Sequence, residues 1–274
     1  MKNYTFIIKP ESSLALNLSE IWRYRELFLT FAWRDIRVRY KQTILGIAWA
    51  ILQPVSSMVV FTVFFGNLAK IPSGNLPYSL FVLCGLVFWG FFSTSLSHAS
   101  DSLVGNESII KKVYFPKIIL PLSAIVVSFI DFLINFFILM VYAVILGYYP
   151  SILTLVIIPV AVVVTAFSAC GIGLFLSAFN IRYRDVRYIL PFFIQVLMFL
   201  TPVIYPLSIV SPQKQLIMAI NPMTMVIESV RQIFNDRPII DTNLVSISLI
   251  SILVSLIFGL WYFKKTERFF ADIV

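Results

Sequence analysis

The chain has 274 residues, of which 59% are hydrophobic and 12% are charged, with a formal net charge of +8. A soluble domain has roughly 45–50% apolar and about 25% charged residues, so this composition excludes a soluble enzyme; disorder is excluded because so much apolar surface must be buried. An integral membrane protein with several spans remains. In such a protein the distribution of charge matters more than its sum, and we expect no nucleic-acid partner.

The N-terminal region contains a predicted amphipathic helix. Residues 1–18 show no signal-peptide pattern and are expected to form a cytoplasmic segment. Residues 19–43 have a polar stripe at helical spacing, formed by Arg23, Glu26, Thr30, Arg34, Arg37 and Lys41. The opposing stripe is apolar and contains Ile21, Tyr24, Leu27, Phe28, Phe31 and Ala32. This pattern favours a helix lying in the membrane interface; a solvated helix packed on a partner is the alternative.

Six longer apolar segments follow, and each predicts a membrane-spanning helix. They lie at 44–66, 78–100, 117–147, 152–179, 188–206 and 243–263. Seventeen of the 21 Lys and Arg residues fall on one side of this topology. The positive-inside rule therefore predicts that both termini, including the tail at 264–274, are cytoplasmic, as an even number of spans requires.

The connection at 207–242 is predicted to lie outside and is unusually apolar. Pro212 and Pro222 divide it into pieces that are too short to span a bilayer. Re-entrant or interfacial helices that cover a pore from outside are therefore expected. A seventh span is the alternative, and it places the C-terminus outside.

The sequence offers no catalytic or metal-binding constellation. His98 is the one histidine, and Cys84 and Cys170 both lie in apolar runs. The spacing from Gly85 to Gly90 resembles a phosphate-binding loop but is followed by phenylalanines and lacks the lysine and hydroxyl that bind phosphate and magnesium. We therefore expect a transport protein, not an enzyme, with no cofactor in this chain. If transport is driven by ATP, the ATPase is a separate chain.

The connection at 101–116 predicts a short cytoplasmic helix. Asn106 is in position to cap it, Glu107 lies at the positive end of its dipole, and Lys111 and Lys112 lie at the negative end. Pro116 is expected to stop the helix. Such a helix suits docking into a groove on a soluble partner, whereas a simple connector is the alternative.

Asp131 is the one charged residue well inside a predicted span. Intramembrane acids usually face other helices or a cavity and often serve proton transfer. No basic partner in a span is evident from the sequence, so a structural hydrogen-bonding role is favoured over proton coupling.

Aromatic residues form 16% of the chain, and some are candidates to line a path for sugars. Sugar rings stack on aromatic rings while their hydroxyls meet polar groups. The first span offers this combination in Trp49 and Gln53, and the fifth offers it in Phe192, Gln195 and Phe199. Packing against lipid or core is the alternative for each ring.

Several motifs together resemble one family. The segments are residues 33–46 (from Trp-Arg-Asp to Leu-Gly), Trp49, 52–54 (Leu-Gln-Pro), 106–116, 184–186 (Arg-Asp-Val), 201–206 (Thr-Pro-Val-Ile-Tyr-Pro) and 221–223 (Asn-Pro-Met). In combination they resemble type-2 ABC exporter permeases for polysaccharides, with O-antigen (Wzm-like), teichoic-acid and capsule members. The resemblance covers roughly residues 25–268.

The resemblance implies an all-α integral membrane protein of the bacterial inner membrane, with a six-span permease domain at 44–263. It implies a homodimer whose channel is lined by the first and fifth spans, and two copies of an ABC ATPase subunit that holds ATP and Mg. The coupling helix to that subunit would contain Asn106, Glu107, Lys111, Lys112 and Tyr114. The outer gate would contain Tyr205, Pro206, Asn221 and Pro222.

The substrate implied by the resemblance is a polysaccharide linked to undecaprenyl pyrophosphate. Arg34, Arg37, Arg39 and Lys41 at the membrane edge are candidates to contact the pyrophosphate, because the guanidinium fork suits phosphate oxygens. The positive-inside rule explains the same residues without a ligand. A small-molecule exporter of the same architecture, or a proton-coupled transporter that depends on Asp131, is the rival function.

Overall fold

The computed structural model describes residues 18–41, 44–234, 241–267 and 269–270, with backbone alone for Leu18 and for residues 41 and 44–50. Every regular element in this part of the chain is helical, as the composition predicts.

The described residues of the first half of the chain form six α-helices. They are α1 (Leu18–Arg23), α2 (Arg25–Lys41), α3 (Ile44–Phe61), α4 (Tyr78–Asp101), α5 (Glu107–Ile110) and α6 (Ile119–Ile145). A π-helical segment, Thr62–Leu68, continues α3, and a 3-10 turn, Val104–Asn106, precedes α5. The predicted helix at 19–43 is thus two helices that break near Tyr24.

The residues described in the second half form five more. They are α7 (Thr154–Arg182), α8 (Val186–Leu200), α9 (Pro212–Met218), α10 (Pro222–Arg231) and α11 (Thr242–Glu267). Two 3-10 turns, Leu207–Ile209 and Gln232–Phe234, flank α9 and α10. Neither α9 nor α10 is long enough to cross a bilayer, so the described residues contain no seventh span here.

Five stretches of the described chain are long and apolar enough to span a membrane. They are Ile51–Leu68, Tyr78–Asp101, Ile119–Ile145, Thr154–Arg182 and Thr242–Glu267. The fifth predicted span is shorter, because α8 has 15 residues and is therefore about 22 Å long, against a hydrocarbon core of about 30 Å. The chain is a membrane protein, and its described residues contain five helices long enough to span a bilayer and one shorter apolar helix.

The end of α8 differs from the prediction, which continued the span to residue 206. Proline disfavours helical backbone in the residue before it, and Thr201 before Pro202 is extended at φ −87° and ψ 143°. The Tyr205 hydroxyl then folds back and donates to the carbonyls of Phe199 and Leu200 at 3.2 Å each. The apolar run therefore continues past the helix as a buried turn.

The centre of the bundle is α4, which packs against α6 and α7 and buries most of its length. In contrast, α3 and α8 make fewer contacts and leave most of their described side chains exposed. On the far side α7 contacts α11 so closely that a Cβ added to Gly259 would lie 2.0 Å from the Gly171 carbonyl oxygen. Only glycine allows that approach.

The apolar stripe of α1 and α2 faces the protein. Phe31 and Ala32 are buried, and the Phe31 ring lies 5.6 Å from that of Phe115. The same cluster contains Phe263 and Phe270 from the C-terminal end of the described chain. The two N-terminal helices therefore dock on the bundle through this apolar stripe. A different face, which contains Trp22, Leu29 and Trp33, remains exposed.

The opposite end of the bundle collects the remaining connections. The Tyr148 hydroxyl donates to the Asn75 carbonyl at 3.1 Å, and the Ser151 amide donates to the Ile233 carbonyl at 3.0 Å. Helix α10 is inserted here among α4, α7 and α11, with most of its side chains buried. The segments rich in Lys and Arg thus share one end, and the apolar connection at 207–234 lies at the other.

Candidate functional site

The connection at 101–116 contains little helix, and its continuously exposed part is residues 111–114. The helix is a single turn, Glu107–Ile110, and Lys111 and Lys112 follow it with exposed side chains. Asn106 occupies the N-cap position without capping: its side-chain amide instead donates to the Ser102 carbonyl at 2.8 Å. The expected side-chain cap is therefore wrong, because Asn106 closes the turn that precedes the helix. The helix also ends six residues before Pro116.

Ion pairs join this connection to the one between α7 and α8. Glu107 contacts Arg184 at 3.1 Å, and Asp101 contacts Arg187 at 3.4 Å. Buried Asn180 also donates to the Asp101 carboxylate at 3.2 Å. The Arg-Asp-Val motif of the sequence therefore lies directly beside the connection at 101–116.

The other side of the connection contacts both ends of the described chain. Tyr114 is 69% exposed, and its hydroxyl lies 3.5 Å from Glu20 of α1. The Lys117 amide donates at 2.9 Å to Glu267, which also pairs with Lys264 at 2.8 Å. A displacement of this connection would therefore also displace residues of α1, α8 and α11.

The basic residues of α2 have different partners. Arg34 pairs with its neighbour Asp35 at 2.7 Å and lies over the Phe31 ring. The Arg37 guanidinium stacks on exposed Trp33, 5.2 Å from the ring centroid. Arg39 pairs with Asp131 and is discussed below. The side chain of Lys41 lies outside the described residues.

Asp131 has a basic partner, contrary to the expectation from sequence. Arg39 Nη2 lies 2.8 Å from Asp131 Oδ2, and the Tyr40 hydroxyl donates to Asp131 Oδ1. Burial and this hydrogen bond raise the pKa of Tyr40 to about 12, so the phenol remains a donor at neutral pH. The partner was missed because it comes from α2, outside the predicted spans.

Three of the candidate channel residues share one face of α8. Phe192, Gln195 and Phe199 follow each other at spacings of three and four, and all three are exposed, the two rings at 69% and 46%. Gln53 is exposed on α3, whereas the side chain of Trp49 lies outside the described residues. In the single chain this face of α8 has no covering element among the described residues.

The candidate outer-gate residues meet where α8 ends. Asn221 caps α10 by accepting from the Met223 amide at 3.1 Å, and its amide donates to the Thr201 hydroxyl at 2.7 Å. Pro222 is the first residue of α10, a position where the missing N–H costs nothing. The asparagine therefore links the start of α10 to the turn that contains Tyr205 and Pro206.

Arg231 was not identified from sequence but is central to this end. Its side chain is 4% exposed. Nη2 donates to the Val203 carbonyl at 2.7 Å, Nε donates to the Phe81 carbonyl at 3.3 Å, and the guanidinium lies 3.5 Å from the Phe81 ring centroid. Burial lowers the pKa of Arg231, and nearby Glu228, paired with it at 2.9 Å, opposes that shift.

Glu228 extends the same network by accepting from the Leu207 amide at 3.1 Å. One arginine thus holds the start of α4, the turn after α8 and α10 together. The available signal was an acid and a base three residues apart within an apolar run, a spacing that places both on one helix face.

The described residues contain no group of three His, Cys, Asp or Glu side chains arranged to hold a metal ion.

Comparisons with known proteins place these features in context. A family model described as "ABC-2 type transporter" matches residues 26–235. The chain is 28% identical over 238 residues to the O-antigen export system permease protein RfbA of Myxococcus xanthus, covering 86% of this chain and 90% of the relative. For a protein of the same name in Klebsiella pneumoniae the identity is 27% over 249 residues, covering 91% and 95%.

A more distant similarity is to the polysialic acid transport protein KpsM of Escherichia coli, at 23% identity over 239 residues, covering 86% and 91%. All three relatives are named as permease or transport proteins. The resemblance seen in the sequence motifs is confirmed, as is the prediction of a transport permease instead of an enzyme.

Proposed function

Because the chain belongs to the ABC-2 type transporter family, we propose that it is the permease subunit of an ATP-driven exporter of lipid-linked polysaccharide. The substrate is a polymer on undecaprenyl pyrophosphate, such as an O-antigen, and it moves from the cytoplasmic to the outer side of the bacterial inner membrane. The observation that carries the proposal is the similarity to O-antigen export permeases over 86–91% of this chain. Capsule or teichoic-acid export is the second candidate, favoured by the similarity to a polysialic acid transport protein.

The proposed assembly is a homodimer of six-crossing subunits, with a channel between the α3 and α8 faces of two copies. Support comes from the exposed side chains of both helices, since a helix with an open face needs a partner or lipid. The aromatic and amide side chains on α8 offer stacking surfaces and hydrogen-bond partners for sugars. In this topology α8 is the fifth crossing, and both termini are cytoplasmic.

The proposed contact with two ATPase subunits is the connection at 101–116. Its exposed lysines and Tyr114 form a surface at the end of the bundle that gathers the basic segments. The ATPase binds ATP and Mg, and its closure displaces this connection. The contacts with α1, α8 and α11 then pass the displacement to the rest of the permease.

For the lipid pyrophosphate, Arg37 is now the strongest of the proposed contacts. Arg34 and Arg39 already have carboxylate partners, whereas the described contact of Arg37 is with the Trp33 ring. Trp33, Leu29 and Trp22 are all more than half exposed. Such a face, with Arg25 stacked on Trp22, suits the headgroup region, where tryptophan and arginine are favoured.

The proposal is tested by reconstitution. The permease and the ATPase subunit encoded with it are placed in vesicles that contain lipid-linked O-antigen, and polymer that becomes accessible to an external lectin is measured. We expect ATP-dependent exposure that is absent with an ATPase unable to hydrolyse ATP. Exposure without ATP, or driven by a proton gradient, would contradict the proposal. Exposure of lipid-linked capsule polymer alone would favour the second candidate.

A further inference from the structure

We propose that Asp131 is a positioning residue of the export cycle, which fixes the end of α2 against α6, beside the end of α4 that leads into the 101–116 connection. This inference rests on the proposed export function. It assigns to the acid inside the membrane a mechanical role, in contrast to a role in proton transfer.

The geometry begins with a carboxylate held by two adjacent residues of α2. Arg39 pairs with one oxygen of Asp131 at 2.8 Å, and Tyr40 donates to the other. The Asp131 side chain is 9% exposed, whereas that of Arg39 is 39% exposed. The carboxylate is therefore the fixed, desolvated partner, and the arginine reaches it from the membrane edge.

His98 connects this pair to α4. Its Nδ1 lies 3.0 Å from the Ser128 hydroxyl, and its Nε2 lies 3.5 Å from Arg39 Nη1. Ser128 precedes Asp131 by one turn of α6, and His98 precedes Asp101 by one turn of α4. Side chains from α2, α4 and α6 thus meet at one point, one helical turn from the start of the 101–116 connection.

The space around the pair indicates that polar contacts hold α2 here. A cavity of about 320 Å³ adjoins the pair and is lined in part by Asp35, Arg39, His98, Asp101 and Asn106. Open space offers no packing that resists movement of α2 relative to α4. At this end of α2 the ion pair and the Tyr40 hydrogen bond supply that restraint. A desolvated carboxylate is costly without its cation, so the pair resists separation.

The consequence is a mechanical link between the ATPase side and α2. A displacement of the 101–116 connection moves the end of α4, and the contacts of His98 and Arg39 carry that movement to the end of α2, which leads into α3. Without the pair, ATP hydrolysis continues but α2 no longer follows, and export per ATP falls.

The test uses the reconstituted exporter with three variants. Asp131→Asn removes the charge, and Arg39→Asp combined with Asp131→Arg exchanges the partners. Glu26→Gln is the matched control, because Glu26 is a carboxylate on the same helix as Arg39 and its side chain is exposed. We expect Asp131→Asn to lower export per ATP hydrolysed about tenfold, the scale of a typical coupling energy. We expect the double variant with exchanged partners to restore most of the export per ATP. We expect the control to change neither export nor ATP hydrolysis.

A second measurement is independent of transport. Backbone hydrogen exchange of the permease alone should become faster in α2 for Asp131→Asn and return towards wild type in the exchanged variant. Unchanged exchange in α2 would overturn the proposal, as would equal losses of hydrolysis and export. Loss of export that the exchange fails to restore would indicate a proton-transfer role for Asp131. If wild type does not export, the proposed function fails, and hydrogen exchange alone decides this inference.

Discussion

At the scale of single residues, buried charge marks the two ends of the permease. Asp131 with Arg39 lies towards the end with the basic segments, and Arg231 with Glu228 lies towards the other. The hydrogen bonds around each pair reach elements that are distant in sequence, as Tyr40 and Asp131 are 91 positions apart and Arg231 and Phe81 are 150 apart. Long-range polar contacts of this kind specify how helices are placed, whereas apolar contacts alone tolerate sliding.

Glu228→Gln tests the buried network at the outer end. Loss of the carboxylate leaves the charge of Arg231 uncompensated in a buried site, so we expect destabilisation of about 3 kcal/mol. The measurement is thermal unfolding of the purified permease in detergent. Lys214→Gln is the control, because Lys214 is exposed in the same connection. An unchanged melting temperature for Glu228→Gln would show that the pair is not required for stability.

The sequence could predict that these residues matter more readily than it could predict their partners. Asp131 is conspicuous because it is a charge in an apolar run. Its partner could not be found by periodicity, since Arg39 belongs to another helix. Several basic residues of that helix could equally have paired with Asp131. The burial of Arg231 could not be predicted either, because it depends on how α10 inserts between α4 and α7.

At the scale of elements, five of the six apolar runs overlap described helices that are long and apolar enough to cross a membrane. The differences occur where a run and a helix do not coincide. The run through 188–206 continues beyond α8, because the turn after Thr201 is itself buried. The Thr-Pro pair was the available signal for the earlier end. Similarly, the 101–116 connection has helix-favouring residues, but the Asn106 side chain donates to the preceding Ser102 carbonyl instead of capping the helix. Only one helical turn forms.

The double variant Lys111→Glu with Lys112→Glu tests the connection as an element. Both side chains are exposed, so the fold should tolerate the change, whereas reversed charge on a docking surface opposes association. We expect at least a tenfold weaker affinity for the ATPase subunit, about 1.4 kcal/mol, measured by co-purification and titration. Lys70→Glu at the opposite end is the control and should bind normally. Equal retention of the ATPase by both variants would contradict the assignment.

At the scale of the whole molecule, burial is distributed unevenly. Helix α4 is enclosed, while α3 and α8 contribute open faces, and this asymmetry fits a subunit of the proposed dimer. Composition alone indicated a membrane protein, and the charge distribution indicated which segments share a side. The structure gathers those basic segments at one end. Which faces remain open depends on three-dimensional packing and could not be derived from hydropathy.

Phe192→Ala and Phe137→Ala compare two rings with the same exposure. Both are 69% exposed, but Phe192 lies on the proposed channel face of α8 and Phe137 lies on α6. Loss of one sugar-stacking platform costs about 1 kcal/mol, so we expect several-fold slower polymer export for Phe192→Ala and near-normal export for Phe137→Ala. Surface polymer per copy of permease is the measurement. Equal effects of the two substitutions would place the path elsewhere.

The shortness of α8 has a consequence for the lipid around the permease. A helix of 15 residues falls about 8 Å short of a typical hydrocarbon core. Hydrophobic mismatch of this size is relieved by local thinning of the bilayer or by polar residues that reach towards the headgroups. Either response shortens the apolar part of the path that a hydrated chain of sugars must cross. Export is therefore expected to be faster in membranes of short-chain lipids than in thicker ones.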